Sequence, residues 1–303
     1  MKKGYGLVLL VALLGVAVSG PLVRLSRAPA LTIAAWRVGL SLLIVAVMLG
    51  ATGQWRQWRR LDGPALAIAG LAGVCLALHF WSWNASIALT TVSASVVLVN
   101  TQPIIVAILS AVWLHEPPSR RQWLGIAIAM VGALVVAAPD LVASARTGLA
   151  GRNPFLGDML ALIGAITAGT YYVIGRRLRA AVDVWAYVAL VYGACFVTLV
   201  ALSWTLDAPL GHQPRREVAI FVALAVGPML LGHTVLNWVL EFLPAYIVNL
   251  VLLGEPVGAT LIAALLPGIR EVPGLATLGG GALVLAGVLV AARGQSEARD
   301  AGA

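Results

Sequence analysis

The segment that decides the fold is TVSASVVLVNTQPIIVAILSAVW, residues 91–113, which contains no Asp, Glu, Lys or Arg. An apolar stretch of about 20 residues is long enough to cross the hydrocarbon core of a bilayer as a helix. Gln102 and Pro103 lie near the middle of this segment, and a proline removes a backbone donor and loosens a helix. The segment therefore predicts a membrane-spanning helix that is interrupted near its centre.

The composition of the whole chain agrees with this interpretation. Of its 303 residues, 61% are hydrophobic and only 11% are charged, and the mean hydropathy is +0.96. A soluble globular chain carries about 25% charged residues, so this chain cannot cover a water-exposed surface of its size. Cys75 and Cys195 lie inside apolar segments and are interpreted as packing residues. We expect an all-α polytopic membrane protein.

Similar apolar runs occur on both sides of residues 91–113. Breaks at charged residues and at Pro/Gly clusters give ten predicted spans, which lie near 5–23, 30–50, 64–85, 91–113, 121–139, 156–175, 182–204, 216–239, 244–266 and 273–292. Lys2-Lys3 before an apolar run also fits a cleaved signal peptide. The repeat described below needs this run as its first helix, so we interpret it as a span.

The net charge of +8 is explained by membrane orientation, because the arginines lie between the apolar runs and form no basic stripe that would bind nucleic acid. With ten spans and a cytoplasmic N-terminus, the cytoplasmic side collects Lys2, Lys3, Arg56, Arg59, Arg60, Arg120, Arg121, Arg176, Arg177, Arg179, Arg293 and Arg299. The other side collects Arg24, Arg27, Arg146, Arg152, Arg215, Arg216 and Arg270. This bias predicts a multi-pass protein of the cytoplasmic (inner) membrane with both termini cytoplasmic.

Short motifs of the first half of the chain recur in the same order in the second half. Ala12-Leu13-Leu14-Gly15 recurs as Ala161-Leu162-Ile163-Gly164, His79 as His233, Gln102-Pro103 as Glu255-Pro256, and Glu116 with Pro118 and Gly125 as Glu271 with Pro273 and Gly280. Five spans in each half force the second half to enter the membrane from the opposite side. The sequence therefore predicts two inverted repeats, a design of secondary transporters that places the substrate site between the halves.

With these motifs the chain resembles the drug/metabolite transporter superfamily, specifically its EamA-like branch of ten-helix carriers. The matching residues are Arg37, the run from Ser93-Ala94-Ser95 to Pro103, Leu114-His115-Glu116, and the stretch from Gly125 to Gly132. The family usually has Gly where His115 stands, and the segment Pro-Gly before Ile269-Arg270-Glu271 also departs from its pattern. The resemblance implies repeats at 1–139 and 156–292, a connecting loop at 140–155 and a cytoplasmic tail at 293–303.

Glu255 is the strongest candidate for a functional residue, because an ionisable group within a span costs at least about 2.5–3.5 kcal/mol. It precedes Pro256 near the midpoint of the ninth span, as its counterpart Gln102 precedes Pro103 in the fourth. Paired interruptions of corresponding helices indicate a transporter's binding site. We expect Glu255 either to take up a proton or to pair with a substrate ammonium group. A protonated carboxyl that only packs against a neighbouring helix is the structural alternative.

Arg37 and Glu116 are candidates for which a structural role is favoured. Arg37 could hold a substrate carboxylate, but it could also form a structural ion pair or extend toward the headgroups. Glu116 resembles the family's loop glutamate and is interpreted as a cap or a tie between helices.

Further polar and aromatic side chains within the spans are expected to avoid lipid and to face the bundle interior. The predicted cavity residues, besides Gln102, are His79, Trp83, Asn84, Asn100, Thr167, Tyr171, Tyr172, His233, Asn237 and Asn249. Interhelical hydrogen bonds without a role in transport are the alternative for each of them.

The chain contains no Walker A motif, no His-Glu-x-x-His pair and no Gly-x-Ser-x-Gly motif. We expect no enzyme activity, no cofactor and no metal. The sequence predicts a secondary transporter, a monomer or homodimer in the lipid bilayer, that exports a small metabolite such as an amino acid by alternating access with proton coupling. A flippase for a lipid-linked substrate or a membrane-embedded enzyme is the alternative.

Overall fold

A computed structural model of the chain describes residues 5–89, 95, 98–147, 153–255, 257–258, 262 and 274–300. These residues form helices and turns and contain no strand. The helices of the first half are α1 (Tyr5–Ala17), α2 (Ser19–Leu25), α3 (Ala30–Thr52), α4 (Gly63–Leu89), α5 (Gln102–Leu109) and α6 (Arg120–Thr147). Those of the second half are α7 (Pro154–Leu178), α8 (Val184–Thr205), α9 (Arg215–Leu224), α10 (Val235–Val239), α11 (Ala245–Leu252) and α12 (Leu275–Asp300).

Three shorter helical segments complete the described chain. A 3-10 helix at Gln54–Arg60 follows α3, and π-helices at Ser110–Leu114 and Ala225–Thr234 continue α5 and α9. The second π-helix contains Pro228, whose missing N–H explains why the regular hydrogen-bond ladder changes there. Residues 215–239 therefore form one continuous helix with an altered middle.

Six helical segments of the described chain are long and apolar enough to cross a membrane. They are Tyr5–Val23, Ala30–Thr52, Gly63–Ser86, Pro154–Leu178, Val184–Thr205 and Arg215–Val239. Shorter apolar helices lie at Gln102–Leu114 and Leu278–Ala291. The all-helical membrane fold is thus confirmed, while the number of ten spans stays a prediction. Predicted features at Lys2, Lys3, Ser93, Ala94, Arg152, Pro256, Arg270, Glu271 and Pro273 lie outside the described residues.

Helix boundaries follow from local chemistry. Pro29, Pro214 and Pro244 directly precede α3, α9 and α11, and Pro154 is the first residue of α7, where a proline costs no hydrogen bond. Helix α3 ends at Thr52, and the Gly53 that follows has a φ of 66°, the left-handed conformation that glycine adopts without strain.

The packing of the helices is symmetric between the two halves. When each helix of a packed pair is replaced by its equivalent in the other half, the result is again a packed pair. Helix α4 packs on α7, and α1 correspondingly packs on the 225–234 π-helix. The pairs α3 with α8, α5 with α11 and α6 with α12 each join equivalent helices of the two halves. This contact pattern is what two similar halves around a two-fold axis would produce.

Glycines allow the closest of these approaches. A Cβ added at Gly125 of α6 would lie 2.6 Å from the carbonyl oxygen of Gly287 in α12, and one at Gly15 of α1 would lie 2.9 Å from the nitrogen of Gly232. Small residues let membrane helices pack backbone to backbone. The outer surface carries large exposed side chains such as Val47, Val112 and Leu275, as a lipid-facing surface does.

The two ends of the bundle are tied by different polar contacts. At one end, Arg176 contacts Glu116 at 2.8 Å and Arg179 contacts Glu241 at 2.5 Å, and Tyr5 stacks on Phe242. We call this the Arg176 end. At the other, the Glu217 end, the Glu217 carboxylate accepts from the Ser26 hydroxyl at 2.5 Å. Helix α1 therefore starts at the end where α7 finishes, so the two equivalent helices run in opposite directions.

Candidate functional site

The site is a buried cavity between the two halves, where two helices are interrupted at corresponding places. A turn at Asn100 and Thr101 precedes Gln102, and a turn at Leu253 and Gly254 precedes Glu255. In both turns a backbone N–H donates a hydrogen bond to the carbonyl oxygen three residues earlier. Thr101 donates in this way to Leu98, and Gly254 donates to Val251. The interruptions direct the side chains of Gln102 and Glu255 toward the same space.

The cavity has a volume of about 50 Å³. Ten of the residues that the sequence singled out line it, namely Arg37, His79, Trp83, Asn100, Gln102, Tyr171, Tyr172, His233, Asn249 and Glu255. A cavity needs about 10–15 Å³ of such volume to hold one water molecule. The cavity in this conformation therefore has room for a few water molecules.

Gln102 and Asn249 connect the interrupted helices α5 and α11. The Gln102 amide Nε2 donates to the Asn249 Oδ1, and the Asn249 Nδ2 donates to the backbone oxygen of Ala245 at 3.2 Å. Both side chains are buried. In the structure, the partner of Gln102 across the two halves is Asn249, not its sequence counterpart Glu255.

Arg37 is almost completely buried, with 1% of its surface exposed. Its guanidinium carbon lies 4.1 Å from the centre of the Phe80 ring, and its Nη2 donates to the sulfur of Met229 at 3.2 Å. One expectation for Arg37 is therefore wrong. It does not extend toward the headgroups, because it is buried beside the cavity. Within the described chain it also has no carboxylate within ion-pair distance.

The two histidines that the repeat pairs both face the cavity. His79 Nδ1 lies 3.0 Å from the carbonyl oxygen of Gly164, and since a carbonyl only accepts, this nitrogen carries the proton. The His79 ring lies parallel to that of Trp83, with centroids 6.2 Å apart. His233 contacts the Tyr172 hydroxyl at 3.3 Å and the edge of Phe80. The cavity wall is thus largely aromatic.

Asn237 supports this wall from behind and does not line the cavity. It is fully buried, and its Nδ2 donates to the Tyr171 hydroxyl and to the backbone oxygen of His233 at 2.8 Å. It therefore holds two lining residues in place.

Asn84, Thr167 and Glu116 also lie away from the cavity lining. The Asn84 Nδ2 donates to the backbone oxygen of Ala30 at 3.5 Å. The Thr167 hydroxyl donates to the Ile163 oxygen of its own helix at 2.8 Å, so its hydrogen-bonding capacity is used locally. Glu116 is the tie between helices that the sequence suggests, through its ion pair with Arg176.

Sequence reasoning missed Phe80 as a lining residue, although it is 1% exposed and contacts both Arg37 and His233. Its spacing of three residues from Trp83 places the two on neighbouring faces of α4 and is the signal that could have found it. Ser19, at the break between α1 and α2, also lines the cavity.

Comparisons with known proteins agree with this architecture. The chain is 28% identical over 254 residues to the uncharacterized transporter YdfC of Bacillus subtilis, a match that covers 82% of this chain and 76% of that protein. The uncharacterized transporter YyaM of the same organism is 25% identical over 150 residues, 48% of this chain and 46% of that protein. A solved crystal structure shares the fold with a TM-score of 0.78 at 20% identity, covering 96% of this chain and 97% of that one.

The family assignment rests on two matches in succession. Residues 2–138 and residues 155–293 each match the model of the EamA-like transporter family. Together with the apolar helices, these matches identify a multi-pass membrane protein whose homologues are named transporters. The chain belongs to the EamA-like transporter family, within the drug/metabolite transporter superfamily.

Proposed function

We propose that this protein is a secondary transporter that exports a small polar metabolite, such as an amino acid or a related compound, by alternating access. The observation that carries the proposal is the cavity between the halves, which receives Gln102 and Glu255 from equivalent interruptions of two helices. Polar side chains at such interruptions form substrate sites in transporters.

The alternating-access mechanism draws on the relation between the halves. The exchangeable helix pairs and the opposite directions of α1 and α7 support two inverted five-helix repeats and ten spans. When two similar halves exchange conformations, access to a central site changes from one side of the membrane to the other.

Export from the cytoplasm and both termini at the cytoplasmic face are part of the proposal. The Arg176 end gathers many of the chain's cations, including Arg176, Arg177 and Arg179, which supports its placement on the cytoplasmic side. Burial lowers the pKa of the Arg179 guanidinium, and the neighbouring Glu241 carboxylate opposes that shift.

Glu255 is the proposed coupling residue. It lines the cavity together with the cationic Arg37, the two histidines and the amides of Gln102 and Asn249. We propose that it takes up a proton in one half of the cycle and releases it in the other. Pairing with a substrate ammonium group is the second role that this carboxylate can play.

The test is transport by purified protein in proteoliposomes, screened over amino acids, nucleosides and cationic drugs, with Glu255→Gln as the key variant. If Glu255 carries the proton, Glu255→Gln retains substrate–substrate exchange but no longer responds to a pH gradient. If Glu255 binds an ammonium group, the variant instead loses affinity for amine-bearing substrates at every pH. Wild-type behaviour of the variant would refute both roles.

Asp62→Asn is the matched control for this carboxylate-to-amide change. Asp62 is exposed before α4, where its Oδ1 accepts from the Ala65 N–H at 2.8 Å, and asparagine caps a helix equally well. We expect transport by this variant to follow the wild type. Absence of flux with any substrate and any gradient would contradict the transport proposal as a whole.

A further inference from the structure

Among the described residues, three buried donor nitrogens beside the cavity have no hydrogen-bond acceptor. They are the Nε and Nη1 of Arg37 and the indole Nε1 of Trp83. Arg37 is 1% exposed and Trp83 is 8% exposed, and both line the cavity. A buried donor without an acceptor is costly, so native proteins rarely retain one without a reason. All three groups are donors, and so they call for an acceptor that the described chain does not provide.

The rest of the Arg37 guanidinium is already in contact with protein. One face lies over the Phe80 ring, and Nη2 points to the sulfur of Met229, which is only a weak acceptor. The N–H groups of Nε and Nη1 are therefore left for a ligand, and each of these nitrogens forms one edge of the guanidinium together with Nη2. A guanidinium edge of two parallel N–H groups matches the two oxygens of a carboxylate.

We propose that Arg37 and the Trp83 indole form a subsite for a carboxylate of the transported substrate, whose apolar or aromatic body packs on Phe80, Tyr171 and Tyr172. This inference rests on the proposed function, because it takes the cavity as the transport site. It narrows the substrate class from small polar metabolites to organic acids, including zwitterionic ones. The three aromatic rings are buried and supply a large apolar surface for such a body.

Glu255 makes this subsite sensitive to pH. Among the described residues, the charged or titratable groups within electrostatic range of Arg37 are Glu255, Tyr192, Cys195, His79 and His233, and Tyr172 lies within that range of Glu255. An ionised Glu255 adds a negative charge beside the subsite and opposes a substrate carboxylate. Protonation of Glu255 removes this negative charge, and protonation of a histidine adds a positive one. Both changes favour binding of the substrate carboxylate. We therefore expect carboxylate binding to strengthen as the pH falls.

The test is calorimetric titration of the purified protein in detergent with matched probes, namely 3-phenylpropionate, 3-phenylpropanol and 3-phenylpropylamine. Because hydrogen bonds to charged groups exceed neutral ones, we expect the acid to bind about tenfold more tightly than the alcohol. Arg37→Gln should reduce this preference to within about threefold, and Trp83→Phe, which keeps the ring but removes the N–H, should reduce it partly.

Ser41→Ala is the matched control. Ser41 lies one turn after Arg37 on α3, is fully buried, and donates to the Arg37 backbone oxygen at 2.6 Å without lining the cavity. We expect this variant to keep the preference for the acid, which separates loss of the subsite from a general disturbance of α3.

The wild-type comparison of probes needs no variant and keeps the proposal open to refutation even if Arg37→Gln does not fold. The panel is extended to acid–alcohol pairs with indolyl and methyl bodies. If no acid binds more tightly than its alcohol, or if Arg37→Gln retains the preference, the subsite proposal is overturned. If an acid binds selectively but no flux is found, the subsite stands and the proposed transport function fails.

Discussion

The guanidinium carbon of Arg37 lies 4.1 Å from the centre of the Phe80 ring, and this contact joins α3 to α4 beside the central cavity. Arg37 has no carboxylate within ion-pair distance in the described chain, so the ring is the main group that faces its charge. A cation over an aromatic ring is stabilised by about 2 kcal/mol or more when both are desolvated. The contact therefore stabilises Arg37 beside the cavity, while its Nε and Nη1 have no acceptor among the described residues.

Phe80→Leu should weaken this arrangement. Leucine keeps most of the apolar volume but has no π face, so we expect a coupling energy of about 1–2 kcal/mol between positions 37 and 80. A double-mutant cycle of Phe80→Leu and Arg37→Gln, read by unfolding in mixed micelles, measures this energy. Additive effects of the two changes would mean that the contact contributes no net stability.

The hydrogen bond between Gln102 and Asn249 should couple the two halves. We expect Gln102→Leu and Asn249→Leu to destabilise the protein non-additively, with a coupling of about 0.6–1.7 kcal/mol, which is the range for interhelical hydrogen bonds in membranes. The measurement is a double-mutant cycle of these two changes, read by unfolding in mixed micelles. Independent effects would show that the two side chains each find other partners.

The ion pair between Glu116 and Arg176 should hold the Arg176 end closed. Its side chains are 30% and 22% exposed, so we expect it to contribute about 1 kcal/mol, or about a fivefold change in the population of the open state. The assay is labelling of a cysteine at Ala168, a lining residue, by a membrane-impermeant reagent after Cys75 and Cys195 are replaced by alanine.

Glu116→Gln should raise the labelling rate from the Arg176 end, and the charge exchange Glu116→Arg with Arg176→Glu should lower it again. The exchange is the control, because it alters both side chains but preserves the attraction. An unchanged labelling rate in Glu116→Gln would mean that other contacts at this end, such as Arg179 with Glu241, keep it closed.

Gly287→Val should disrupt the packing of α12 on α6. A Cβ at this position would lie 2.5 Å from the Gly125 oxygen, so the helices must separate, at a cost of about 1–3 kcal/mol. Gly279→Val is the matched control on the same helix, because a Cβ there meets no atom within 4 Å. Equal stability of the two variants in detergent would contradict the close approach of α6 and α12.

Much of the fold follows from the sequence alone. Because a lipid-exposed backbone must satisfy its hydrogen bonds within each segment, the long apolar run 30–50 predicts a helix, and the structure has a helix at Ala30–Thr52. The interruptions before Gln102 and Glu255 were signalled by the prolines that follow them. The π-helix around Pro228 was not anticipated, because a proline fixes where a helix is disturbed but not which hydrogen-bond pattern replaces it.

The contacts of individual polar side chains could not be predicted in this way, because they depend on the distances between helices and no local sequence pattern contains those distances. The sequence indicated polar faces at His79, Trp83 and Asn84, but it could not decide that Trp83 faces the cavity while Asn84 contacts Ala30. It left Arg37 with a structural role favoured, and tertiary packing placed it beside Phe80, with no carboxylate within ion-pair distance among the residues that the structure describes. Composition and hydrophobic length determined that this chain is a helical membrane protein, because lipid imposes those requirements on each segment separately. Only the tertiary structure decided which polar groups meet, because burial and partnership depend on the rotation and spacing of helices that are far apart in the chain.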